Sequence, residues 1–405
     1  MERLMAQYKI TLLSPVHIGS GDKLCKNIDY FSDETGTYLV DADKFFETLT
    51  PTQIDELTNS RDIIEFMERN RVNKKDFVKK KISPQKVTAS EINQCIKNSF
   101  EIPYIPGSSL KGALRTVIGW HLFKKENIPF DFNPRSRKEW AYSNLSRKIF
   151  GKDPNHDFLK GFMVVDSAFS ASDVTLLLTK VYTMRKNKVL AVKLTQRDNP
   201  RSEMQIYSEF LKKDSSSVLK IKIDKFIFTQ RFMEKLKIDK SREESLQNMG
   251  NIANDYAKEK IEQELSFFSN QEKLNAVSLF YKNLLDRFGT FDNNNFILNL
   301  GWGTGWNFKT GNYIPETDLD SVRRAFDLGR VIKKCPFNHS GRDLKHDKKK
   351  KIFYCYECKK EYSYEEIKQL IKPFPKSRKI LFDSQERPFA VPGWVMLTKM
   401  NKNGN

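Results

Sequence analysis

An α+β fold is what this sequence predicts, and three features predict it. Alternating or β-branched runs recur from one end to the other, helical periodicity fills stretches between them, and proline or glycine turns separate the two. The order is one of strands and helices alternating around a single mixed sheet, interrupted by a helical insertion, a second helical block and a small basic insert. A length of 405 residues holds roughly two or three domains' worth of structure and ample core. No solenoid repeat is visible.

The first strand is expected over residues 8–13, stopped at Ser14-Pro15 and followed by a glycine-bearing turn from His17 to Asp22. Short strands are expected at 26–31 and 37–40. From Asp43 to about Phe100 the pattern turns helical and polar, with Ile63, Ile64, Phe66 and Met67 as its buried stripe. Pro106 ends an extended segment, and Ser108 or Ser109 can cap a helix running from Leu110. On that helix Leu110, Ala113, Leu114, Val117 and His121 share one face. Gly112, Thr116 and Gly119 lie opposite, and Lys111 and Arg115 sit together on the border. Strand-like runs follow at 161–169, 174–182 and 189–194, and 218–228 reads as a half-buried strand with a lysine-rich outer face. Residues 243–288 contain no proline and read as two or three packed helices. A glycine-rich loop at 300–311, a helix over 315–329, a basic insert over 331–379 and a closing strand over 389–400 complete the chain.

Charge narrows the function. Lys and Arg number 70 against 51 Asp and Glu, a surplus of +19 that points to a polyanion, nucleic acid before an anionic membrane. No apolar run approaches the roughly 18–20 residues of a spanning helix, and the first residues lack a signal-peptide core. Five cysteines, an odd number, make no disulfide framework. A cytoplasmic protein with no membrane partner is expected.

Three motifs carry chemistry. Pro106-Gly-Ser-Ser-Leu-Lys-Gly112 places backbone N–H groups, two hydroxyls and a Lys/Arg pair at a helix start, which suits phosphate; an ordinary capped helix is the plain alternative. Gly301-Trp-Gly-Thr-Gly-Trp306 lacks the Gly-Lys-Ser/Thr of a P-loop. Its glycines admit a ligand to the backbone and its indoles offer stacking faces, unless both are core. Cys335 and His339, then Cys355 and Cys358, are two close pairs across a hairpin-length spacer. They match a structural tetrahedral zinc site, with His346 as the alternative ligand. Residues 331–379 carry fifteen Lys/Arg against six Asp/Glu, so this insert can itself touch nucleic acid. Cys25 and Cys95 read as small buried hydrophobes. Catalytic candidates are thin: His17 as an acid–base group, or Asp29 with a metal.

Together, Pro15-Val-His-Ile-Gly-Ser-Gly21, Ile105-Pro-Gly-Ser-Ser-Leu-Lys-Gly-Ala-Leu-Arg115 and Gly301-Trp-Gly-Thr-Gly305 resemble the RAMP proteins of CRISPR effector complexes. The large insert after the first strands and Lys-Leu-Thr-Gln at 193–196 look most like the fifth subunit of type III-A Csm complexes. The resemblance implies an RRM-like, ferredoxin-type palm with inserted helical subdomains and, by spacing alone, a zinc-knuckle-like insert. The palm would comprise 1–42, 102–230 and 380–405. Residues 43–101 would be a helical insertion, 231–290 a helical subdomain, 291–330 the glycine loop with its helix, and 331–379 the insert. It implies a non-catalytic subunit that caps the guide RNA at its 3′ end and supports guide maturation through host nucleases. Its partners would be guide RNA, target RNA, neighbouring RAMP backbone subunits and small helical subunits. The RNA-contacting set would be His17, Gly19, Ser20, Gly107, Ser108, Ser109, Lys111, Arg115, Trp302, Gly303, Thr304, Gly305, Trp306 and Lys309. Structural Zn²⁺ would sit on Cys335, His339, Cys355 and Cys358. A RAMP-type endoribonuclease using His17 or Asp29 is the alternative; a zinc-knuckle nucleic-acid factor outside CRISPR is a third.

Overall fold

A computed structural model describes residues 3–401 except 61, 134–136, 138–142, 186–187, 193–202, 270, 330, 334, 338, 340–343, 348–351 and 371–373. The 193–196 motif and most of the basic 134–138 stretch therefore lie outside the described residues, as does the side chain of His346.

Two large sheets stand where the sequence suggested one. The first is antiparallel throughout, in the order Asn295–Asn299, Trp394–Lys399, Arg3–Leu12, Ser216–Asp224, Phe162–Val164. The second runs Gly19–Cys25, Glu91–Cys95, Gln205–Leu211, Val174–Arg185, Ser377–Phe382, Pro388–Ala390, with Lys188–Ala191 beside Val174–Arg185. Its Glu91–Cys95 and Gln205–Leu211 strands are parallel. The chain steps from one sheet to the other at Val16, whose N–H donates to Leu211 O and whose carbonyl accepts the Leu211 N–H.

In Ser216–Asp224, Leu219 and Ile221 point into the core while Val218 and Lys220 face out. Val218 thus joins the lysine face, because strand parity and not hydrophobicity decides its side. The helices Gly107–Lys125, Met249–Phe268 and Asn275–Leu285 pack against this sheet system over one continuous core that includes Leu12, Leu114, Phe162, Phe296, Trp394 and Leu397. No helix among the described residues is long and apolar enough to cross a membrane.

Two segments depart from the sequence reading. Gly19–Cys25 is a strand, not a turn, and after Asp43 the α-helices end at Arg69, with one 3-10 turn following at Lys74–Phe77. Beyond it come the strands Val78–Ser83 and Glu91–Cys95. Lys79, Lys80 and Lys81 are exposed on the first of these, so its strand pattern is masked by charge. The stripe Ile63, Ile64, Phe66 and Met67 is buried as expected, in its own cluster with Phe31 and Phe45.

Candidate nucleic-acid interface and metal centre

The helix that carries the Gly-Ser-Ser motif begins earlier than its sequence suggested, at Gly107, with Pro106 as the residue before it and no side-chain cap. Ser108 and Ser109 are therefore in its first turn. Gly107 is required there: a Cβ would lie 2.0 Å from the Val164 carbonyl oxygen. Its N–H donates to Asp166 Oδ1 at 2.7 Å, so one end group of the helix already holds a carboxylate.

Three distant stretches meet in front of that helix. Gly19, Ser108, Ser109, Gly112, Gly301, Trp302 and Lys309 line a groove of about 430 Å³, joined by Asn299, Thr116 and Tyr313. Gly301 has φ +83°, and a Cβ there would meet the His17 carbonyl oxygen at 2.6 Å. Only glycine lets this loop press against the His17 backbone. The Trp302 N–H donates to that same oxygen at 2.8 Å.

The other expected contact residues go elsewhere. Lys111 donates to the Leu159 carbonyl at 2.7 Å, and Arg115 pairs with Asp157 while lying 3.6 Å from the Phe150 ring centroid. Both line a separate basic cavity with Arg147, Lys152 and Lys160. Gly303, Thr304, Gly305 and Trp306 line a third, smaller cavity, and Trp306 is edge-on to Phe374. The two tryptophans thus do not form one platform. Ser20 is exposed on its strand and accepts the Asp22 N–H.

His17 lies beneath the groove. It is buried, its Nδ1 is 2.6 Å from the Glu209 carbonyl oxygen, and its ring packs edge-on to Trp302. Burial pushes its pKa below the ordinary value despite the opposing pull of Glu209. Between the unfolded value of about 6.5 and the lower folded one, the unfolded chain binds the extra proton, so acidification costs stability. Thermal melts between about pH 7 and pH 5 should show a shallower loss in His17→Gln than in the parent. Equal slopes would remove His17 as a source of that dependence. Asp29 closes a local turn, accepting the Cys25 N–H at 2.7 Å.

Sequence reasoning missed Lys379. Its ammonium sits 4.3 Å from the Trp302 ring centroid, and burial, then the charge of Lys309, lowers its pKa. Among the described residues no carboxylate pairs with Lys309 or Lys379. Lys379 lines the third cavity with residues 303–306, while Trp302 and Lys309 line the groove, so two like charges lie close together where the two cavities adjoin, an arrangement that an anion would relieve. No local motif marks Lys379; only the pairing of Ser377–Phe382 with Val174–Arg185 brings it there.

The cysteine-bearing insert is built as its spacing predicts. Cys335, His339, Cys355 and Cys358 present ligand atoms within 4.8 Å of one another. Cys335 Sγ lies 3.7 Å from Cys358 Sγ and 3.4 Å from His339 Nδ1, which is 3.5 Å from Cys355 Sγ. A tetrahedron with metal–sulfur distances of about 2.3 Å separates sulfurs by about 3.8 Å, and sulfur from nitrogen by about 3.5 Å. The donor set and its spacing therefore fit zinc. Tyr362 Oη is 3.1 Å from Cys358 Sγ and 3.6 Å from Cys335 Sγ, an outer partner for the thiolates.

Comparison with known proteins agrees with the architecture. Residues 9–309 match the RAMP superfamily. A protein described as CRISPR system Cms protein Csm5 from Streptococcus thermophilus is 31% identical over an alignment covering 27% of this chain and 37% of that protein. A protein of the same description from Methanocaldococcus jannaschii is 26% identical over 75% of this chain and 72% of its own length. A chain from a type III-A Csm–crRNA–target RNA ternary complex superposes with TM-score 0.65 at 19% identity, covering 97% of this chain and all of that one. Csm5 from T. onnurineus superposes with TM-score 0.53 at 17% identity, covering 96% and 99%.

Proposed function

Since the chain belongs to the RAMP superfamily, we propose that it is the Csm5-type subunit of a type III-A CRISPR ribonucleoprotein, binding guide RNA without cutting it. In this reading the five-stranded sheet is the palm, and the protein caps the guide at its 3′ end. It contacts neighbouring RAMP and small helical subunits, and supports maturation by presenting the guide to host nucleases. The observation that carries the RNA reading is the groove in which Gly19, the 108–109 serines, the Gly301 loop and Lys309 converge beside Lys379. The serine hydroxyls and the Lys309 ammonium in the groove, with the Lys379 ammonium next to it, suit phosphates, which fix a strand without reading its sequence.

His17 and Asp29 are bound up in structural contacts, which supports a non-catalytic role. Lys111 and Arg115 would contribute through the neighbouring basic cavity and not through this groove. Zinc on Cys335, His339, Cys355 and Cys358 would be structural, since four protein ligands leave no open position.

The groove is tested by adding charge without harming the helix. Asp favours a helix first turn, yet it repels phosphate. Ser108→Asp with Ser109→Asp should bind single-stranded repeat RNA at least about tenfold more weakly. Lys309→Ala should flatten the log–log salt slope by about 0.7, the loss of one phosphate contact. Parent-like affinity and slope in both variants would exclude the groove.

A further inference from the structure

We propose that the cysteine-bearing insert is a second RNA contact, a stacking platform in which Phe337 and Tyr356 receive unpaired bases. This rests on the RNA-binding reading above and on the metal-site geometry. Each ring sits in a turn made by a ligand pair: Phe337 two residues after Cys335, and Tyr356 directly after Cys355. Both are more than half exposed, at 60% and 54%, although the insert is poor in core and buries Phe353, Tyr362 and Ile367. A small module that leaves two large rings in water while short of apolar cover is paying for something other than its own folding.

The rings are also held in place. Phe337 stacks on the ligand His339 with centroids 6.1 Å apart and planes at 29°, and Tyr356 stands edge-on to Tyr354 at 5.3 Å. Once the four ligands are tied together, neither turn has much freedom left to lose on binding. The Lys360 ammonium lies 5.0 Å from the Phe337 centroid, beside the exposed Lys359. An ammonium next to a stacking ring is placed to meet the phosphate that follows a stacked base. The surplus of fifteen Lys/Arg over six Asp/Glu across 331–379 favours an anion over an apolar protein surface.

The test uses full-length protein and a fluorescein-labelled oligouridylate of about twelve nucleotides. Phe337→Ala with Tyr356→Ala should weaken binding at least about fivefold per ring while zinc content and the salt slope stay those of the parent, because stacking releases no counterions. Phe337→Trp with Tyr356→Trp should restore affinity. Lys309→Ala, measured in parallel, reads the groove alone. Parent-like affinity in the double alanine variant, with Lys309→Ala weakened, overturns the platform and leaves the groove standing. The reverse pattern removes the groove and keeps the platform; no effect of either variant removes both. Parent-like RNA affinity combined with loss of a co-purifying subunit assigns the rings to a protein interface and overturns the proposal.

Discussion

Replacing Cys355 and Cys358 together with serine is expected to take zinc content from one ion per chain to none and to unfold the insert. The buried cluster there consists of Cys335, Phe353, Cys355, Tyr362 and Ile367, and two of those five belong to the proposed ligand set. So small a core cannot offset the conformational entropy of the strands Lys345–Asp347, Ile352–Tyr354 and Glu361–Tyr362. In the proposed reading a bound metal supplies the difference, and apparent zinc-binding free energies of about 10–16 kcal/mol at neutral pH are of the required size. The main sheets have a separate core, so they should keep their melting transition. Elemental analysis of untagged protein together with amide exchange reads both effects. Unchanged metal content, or retained protection across 345–362 in the metal-free variant, would make these residues ordinary thiols in a self-sufficient fold.

The second large effect is expected behind the groove. Lys97 Nζ is 2.8 Å from Glu209 Oε2, and the two side chains are only 12% and 6% exposed. The same carboxylate accepts the Cys95 N–H at 3.1 Å, while the Glu209 carbonyl oxygen is the partner of His17 Nδ1. Lys97→Met leaves a buried carboxylate without its counter-charge, at a cost of about 3–5 kcal/mol. Glu209→Leu should cost comparably by stranding the ammonium, whereas the double variant should be less damaged than either single one. Urea denaturation of all four proteins measures the cycle. Additive losses would show that the two groups stabilise the strands independently. Because His17 holds the Trp302 N–H through its carbonyl, loosening this network should also weaken RNA binding.

What could be read from the sequence follows from how local each feature is. The clustering of Cys335, His339, Cys355 and Cys358 was legible in full, because two close pairs across a hairpin leave few other ways to arrange three thiols and an imidazole. Gly19, Ser108, Ser109 and Gly301, which line one groove, could be picked out singly, the glycines as backbone open to close approach and the serines as hydroxyls at a helix start. Their convergence could not, because it depends on the step between sheets at Val16. Lys111 and Arg115 were placed on the right helix and border, yet their direction is set by Asp157 and Leu159, more than forty positions away. His17 was a candidate acid–base or RNA-contacting group because it precedes a glycine-bearing turn; the pairing of Val16 with Leu211 buries it. The Val78–Ser83 and Glu91–Cys95 strands were hidden because both carry charged residues on outward positions and no clean alternation.

The central claim, that RNA lies in the groove between the Gly107–Lys125 helix and the Gly301 loop, is tested most directly by photo-crosslinking. RNA carrying 4-thiouridine throughout the guide would be bound to the purified assembly, irradiated, and the attached peptides mapped. Crosslinks should concentrate on peptides spanning 108–116 and 299–309, and should disappear from both in Ser108→Asp with Ser109→Asp. RNA that co-purifies and crosslinks only to peptides outside these two segments would contradict the account.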